Sequence, residues 1–176
     1  MKATGIVRRI DELGRIVIPK ELRRTFRIKE GTPLEIFIGD AGELVLKKFS
    51  PVLELTDIAK EVCESIYQTL NCGVLIFDND SYLMGSGALT KQYIGKDISF
   101  QLEKVVSQRQ SVIKNNIELI KLGDVNNEIK SQLIAPIISN GDVVGGILLI
   151  SKTVDFFQED IKIVKTMINF IEKQIS

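Results

Sequence analysis

The stretch GIVRRIDELGRIVIPKELRRTFRIKEGTPLEIF, residues 5–37, sets two short β-branched runs, a turn and a basic helix one after another. Lys2 to Ile10 reads as a short strand carrying Ile6, Val7 and Ile10, and it ends at the turn signal Asp11-Glu12-Leu13-Gly14. Ile16-Val17-Ile18 is a second strand-like run. Pro19 then ends ladder pairing and suits the first turn of a helix, where its missing N–H costs nothing. Lys20 to Phe26 gives about two helical turns. Leu22 and Phe26, at i, i+4, are expected to face inward, leaving Arg23, Arg24 and Arg27 to point elsewhere. Gly31, Thr32 and Pro33 are expected to break that helix. Leu34 to Ile38 and Glu43 to Lys47 form a hairpin about Gly39-Asp40-Ala41-Gly42.

Around this stretch the charge is unevenly divided. The 176 residues carry no formal net charge, yet residues 1–50 hold eleven Lys/Arg against seven Asp/Glu, a net of +4, and residues 51–176 a net of −4. Residues 1–29 alone reach +6, which favours a polyanion as partner for the first segment. About 50 residues lie at the lower limit of independent folding, so a dimer in which strands complete each other's sheet is the natural remedy. A two-fold basic face also suits double-stranded DNA, where phosphate neutralisation supplies most of the affinity. Ser50-Pro51, a cap residue before a first-turn proline, marks the expected boundary between a domain at 1–50 and another at 51–176.

The pattern D-x-L-G-R-x-x-I-P-x-E-x-R, running from Asp11 to Arg23, resembles the AbrB family of transition-state regulators almost without interruption. The resemblance implies a swapped-hairpin β-barrel built by two interleaved chains, with arginines of the loops and short helix lying on DNA. Carried over by position, it implicates Arg8, Arg15, Arg23 and Arg24 first, then Lys2, Arg9, Lys20 and Arg27. The plain alternative for each is a solvated surface charge. Arg15 has a further reading, because it follows Gly14 and is placed to brace the turn against Asp11 or Glu12. Pro19, Gly14 and Gly31 read as architectural. Nothing here identifies base contacts, and the resemblance implies reading of DNA shape and flexibility as much as base edges.

Beyond Pro51, Val52 to Leu70 carries Leu55, Ile58, Ala59, Val62, Cys63, Ile66 and Leu70 at helical spacing, and Asn71 to Gly73 stops it. Strands are expected at Val74 to Phe77 and Tyr82 to Met84, a helix at Ile98 to Gln108, and strands at Ile117 to Leu122 and Gln132 to Ser139. Asn115-Asn116 reads as a helix-to-strand loop. Asn140-Gly141-Asp142 is the strongest hairpin signal in the chain. Val143 to Ser151 returns antiparallel, with Gly145-Gly146 permitting a bulge or a close approach, and Phe157 to Ile175 closes the chain as an amphipathic helix. This order describes an α+β architecture, an antiparallel sheet with helices on its faces. It resembles a GAF domain, although the Asn-Lys-x-x-Phe-x-x-x-Asp-Glu pattern of cyclic-nucleotide GAF domains is not found. A basic swapped-hairpin head ahead of such a domain resembles a family of sporulation regulators, and that resemblance implies a tetramer that regulates sporulation genes; the apolar stripes of the two long helices are expected to hold the tetramer, with an unidentified small molecule as the expected signal.

There is no His, which removes Ser-His-Asp and Cys-His nucleophilic sites, His-ligated metals and haem. Cys63 and Cys72 lie in apolar runs with no metal-ligand spacing and no basic neighbour to activate a thiol, so reduced structural thiols are expected, not a redox enzyme. No cofactor and no metal are expected. No apolar run approaches the ~20 residues of a membrane span, and no signal pattern opens the chain, so a cytoplasmic location is expected. The competing class is the antitoxin of a toxin–antitoxin module, which shares the swapped-hairpin fold but usually ends in a disordered acidic tail. Residues 51–176 have the composition of a packed domain instead.

Overall fold

The computed structural model describes residues 5–115, 119–122 and 129–175, and the chain divides into two compact units between Phe49 and Ser50. The first unit holds α1 (Lys20–Thr25), β1 (Leu34–Ile38) and β2 (Leu44–Lys48). The strands pair antiparallel from Leu34↔Lys48 to Ile38↔Leu44. Their turn closes through the Gly39 N–H on the Glu43 carbonyl (2.8 Å), and the Glu43 carboxylate accepts from the Ala41 N–H (3.0 Å). Glu43 is therefore part of the turn, and the second strand begins one residue later than its sequence suggests.

Residues 5–10 and 16–18, expected as strands, lie outside any strand, and Lys2 to Thr4 lie outside the described residues. A strand persists only when paired, and Val7, Ile10, Ile16 and Val17 stand exposed. Phe26 is exposed as well, not turned inward, because a six-residue helix beside one hairpin offers nothing to cover it. Among the described residues of this unit only Pro19 is buried. Helix α1 also ends before the glycine expected to break it. Arg27 takes a left-handed conformation (φ 52°), the Ile28 N–H reaches the Arg23 carbonyl (2.8 Å) and the Arg27 N–H the Arg24 carbonyl (3.3 Å). That double closure is a Schellman motif, built on an arginine where glycine is usual.

The second unit runs α2 (Pro51–Glu54), α3 (Thr56–Leu70), β3 (Gly73–Asp78), β4 (Tyr82–Ser86), α4 (Phe100–Val106), β5 (Val112–Asn115), β6 (Ser131–Ser139), β7 (Asp142–Ser151) and α5 (Gln158–Gln174). The five strands form one sheet in the order β4-β3-β7-β6-β5, each neighbouring pair antiparallel. Side chains alternate between its faces, as the two-residue period requires. Val74, Ile76, Leu133, Ile137, Ile147 and Leu149 pack with α3 and α5. Leu75, Phe77, Ile134, Leu148 and Ile150 pack on the other side with Leu102 and Val106 of α4, Tyr82, Tyr93 and Ile98. A sheet covered on both faces explains why β3, β6 and β7 are apolar almost throughout.

Asn140 and Gly141 both take positive φ (50° and 84°), the geometry of a tight hairpin turn matched to strand twist. Gly145 sits where a Cβ would meet the Phe77 carbonyl oxygen at 2.2 Å, so the close approach of β3 and β7 excludes any larger residue. The expected single helix from Val52 to Leu70 is two helices. Leu55 breaks it, its N–H bonding the Val52 carbonyl (3.3 Å) while the Thr56 hydroxyl takes the Leu53 carbonyl (2.6 Å). Pro51 opens α2 as expected, but the Ser50 hydroxyl caps nothing and is buried without a partner among the described residues. The strand placed at Ile117 to Leu122 is not found in its described part, residues 119–122. The edge strand is β5, whose Val112-Ile113-Lys114-Asn115 pairs with Ile134 to Ser131. Asn115 thus ends a strand, and Asn116 lies outside the described residues.

Candidate nucleic-acid interface

Seven of the eight basic residues singled out above fall on three pieces of the first unit. Lys20, Arg23 and Arg24, at i, i+3 and i+4, share one face of α1 and are exposed. Leu22 and Phe26 lie on another face, and Arg27 follows at the left-handed end of the helix, also exposed. Arg8 and Arg9 stand exposed on the first arm, residues 5–10, Arg8 donating from Nη1 to the Val7 carbonyl (3.1 Å). Arg15 directly precedes the second arm, residues 16–18. Lys2 lies outside the described residues.

The turn between the arms is organised by Asp11. Its carbonyl accepts from the Gly14 N–H (2.9 Å) and its own N–H donates to the Arg15 carbonyl (3.1 Å). Its carboxylate Oδ1 accepts the N–H groups of Leu13 (3.0 Å) and Arg15 (2.8 Å), and Oδ2 accepts from Arg15 Nε (2.9 Å). These bonds, that from the Arg15 backbone foremost, hold the Asp11 carboxyl below the usual carboxylate range. Of the two acidic residues able to brace Arg15, the structure therefore selects Asp11. The Arg15 side chain remains 70% exposed. The role of Asp11 was half visible in sequence, as one of two neighbours; the left-handed backbone of Arg27 left no signal there.

Among the described residues no group of three or more His, Cys, Asp or Glu is placed to hold a metal ion. Cys63 and Cys72 are buried free thiols, and burial pushes both up to about 12, so neither is a ready nucleophile. A recess of about 490 Å³ opens between α5 (Lys165, Asn169, Glu172), the end of β6 (Pro136, Ile138) and Arg109 to Ser111. Among the described residues no helix is long and apolar enough to cross a membrane.

Residues 54–176 match the family described as stage V sporulation protein T C-terminal, transcription factor. The chain is also 46% identical over 176 residues to stage V sporulation protein T of Bacillus subtilis, covering 99% of each. The chain belongs to the stage V sporulation protein T family. The head of this family member is 59% identical over 51 residues to the transition state regulatory protein AbrB of Bacillus subtilis, covering 29% of this chain and 52% of that one. Residues 7–52 match the family described as antidote-toxin recognition MazE, bacterial antitoxin. The C-terminal fold is GAF-like: the GAF domain region of a membrane protein from Geobacter sulfurreducens superposes with a TM-score of 0.57 at 16% identity, covering 71% of this chain and 95% of that one. The stage V sporulation protein T family thus joins an AbrB-like head to a GAF-like α+β domain.

Proposed function

We propose that this member of the stage V sporulation protein T family is a cytoplasmic regulator of sporulation genes that binds double-stranded DNA through residues 1–50, taken as one domain, and assembles through residues 51–176. The observation that carries the reading is the head itself: an exposed basic face on α1, with Arg8, Arg9 and Arg15 exposed as well, and no core of its own among the described residues. A unit whose described residues bury only Pro19 needs a second copy, and pairing two copies doubles the basic face. Arg8, Arg15, Arg23 and Arg24 are the principal phosphate contacts, with Lys2, Arg9, Lys20 and Arg27 flanking them. The antitoxin reading shares this head; a packed GAF-like domain in place of a disordered tail favours the regulator.

Assembly beyond the dimer is assigned to α5. The main apolar stripes of α3 and α5 pack within the chain, since Ile66 of α3 and Ile171 of α5 are both fully buried in the same core. Ile66 and Ile171 therefore cannot report on assembly, because a charge at either would unfold the unit. Phe170 on α5 remains exposed, with Ile163 half-buried at i−7, and this edge is the proposed contact between dimers. The recess beside Arg109 is the proposed seat of a small-molecule effector. No catalytic step is assigned to any residue.

The test is duplex binding by full-length alanine variants. Arg8, Arg15, Arg23 or Arg24 changed to Ala should each weaken binding on the order of tenfold, two phosphate contacts being lost per dimer. Lys60→Ala, on the exposed face of α3, should leave it unchanged. Wild-type affinity in all four arginine variants, with folding intact, defeats the assignment.

A further inference from the structure

A carboxylate beside a DNA-binding arginine should by simple electrostatics be a liability, since it cancels charge where phosphate must approach. The first turn nevertheless places one there and bonds it with care. Asp11 spends Oδ1 on the Leu13 and Arg15 N–H groups and Oδ2 on Arg15 Nε alone. Glu12, one residue on and equally exposed, makes no such bond with Arg15. A guanidinium has five donors in a rigid planar fork, and gripping it at Nε fixes the plane while leaving the two terminal nitrogens for another acceptor. The 70% exposure of Arg15 is consistent with that end of the fork facing solvent.

We propose that Asp11 is a positioning residue for DNA binding: its carboxylate holds Arg15 by Nε so that the Nη pair meets one phosphate bidentately. This rests on the reading of Arg15 as a DNA contact. A free Arg15 loses side-chain rotamer freedom when it meets a phosphate, and the turn removes part of that freedom before DNA arrives. Lysine in its place keeps the charge and loses both the Nε grip and the fork.

The experiment is a double-mutant cycle on the full chain with one fixed duplex at one salt concentration. Asp11→Asn retains the Oδ1 acceptor for the two backbone N–H groups and replaces Oδ2 with a donor, so the turn survives and the grip is lost. It should weaken binding roughly 5- to 20-fold for the two copies in a dimer, each exposed pair contributing a few-fold. Glu12→Gln, an equal loss of negative charge, should leave binding unchanged or tighten it. In an Arg15→Ala background Asp11→Asn should no longer weaken binding, and Arg15→Lys should weaken it nearly as much as Arg15→Ala. Tightening by Asp11→Asn overturns the proposal and leaves the DNA interface standing. So does equal weakening in both backgrounds, which makes Asp11 a support of the turn alone. If Asp11→Asn fails to fold, wild-type binding by Arg15→Lys overturns it. Unchanged binding by Arg15→Ala removes instead the reading on which the proposal rests.

Discussion

Dilution should unfold the isolated head. Val7, Leu13, Val17 and Ile38 are between 73% and 83% exposed in the single chain. Fully buried, such side chains contribute ~1.5–3 kcal/mol each, so these four alone represent ~6–12 kcal/mol per protomer that only a partner can recover. If folding and pairing are one event, each tenfold dilution lowers the apparent stability by about 1.4 kcal/mol. For a paired unit of this size that is a fall in unfolding midpoint of about 6–11 °C. Thermal melts of a fragment comprising residues 1–50, followed by circular dichroism over a hundredfold range of concentration, read this directly. Val17→Asp should leave the fragment unfolded at every concentration. A midpoint independent of concentration, together with a monomeric mass by sedimentation, refutes the argument that the head lacks a core.

Arg27→Gly should stabilise the head by ~0.5–1 kcal/mol per protomer, the relief of a left-handed arginine exceeding the entropy cost of glycine, while weakening duplex binding; thermal melts and titration separate the two. In alkali the second unit should weaken. Cys63 and Cys72 have folded pKa values raised to about 12, so their stabilising effect is complete below the unfolded thiol value near 9 and is lost as pH rises from there toward 12. Denaturant midpoints across that window, set beside a Cys63→Ala/Cys72→Ala variant, check it. In acid the head's first turn should loosen, because the lowered carboxyl of Asp11 gives support that is present above about pH 4 and disappears as pH falls through its folded value; backbone chemical shifts of Leu13 and Arg15 report it. Phe170→Glu should convert tetramer to dimer by light scattering with the melting temperature unchanged, and a persistent tetramer would place the contact elsewhere.

How far the sequence could be read followed how local each signal was. The turn at Asp11 to Gly14, the hairpin signal Asn140-Gly141, the buried runs of β3, β6 and β7 and the stripe of α5 depend on neighbours a few residues away, and all were legible. The arms at 5–10 and 16–18 have strand composition, but neither forms a strand among the described residues, so composition and structure part company there. Strand β5 escaped notice because Val112-Ile113-Lys114-Asn115 is short and half polar, as an edge strand is, while the more apolar run after it drew the assignment. The break at Leu55 turns on one hydroxyl, that of Thr56, competing for a helix carbonyl. At the site, the basic side chains were visible as types and spacing. The grip of Asp11 on Arg15 and the left-handed backbone of Arg27 are matters of geometry that spacing does not carry.

The central claim, that the paired head holds DNA by its phosphates, is tested most directly by the salt dependence of duplex binding by the wild-type chain. Contact with ~6–8 phosphates predicts that log K falls against log salt with a slope of about −5 to −7. A slope near zero, or equal binding by a chain lacking residues 1–50, would contradict it.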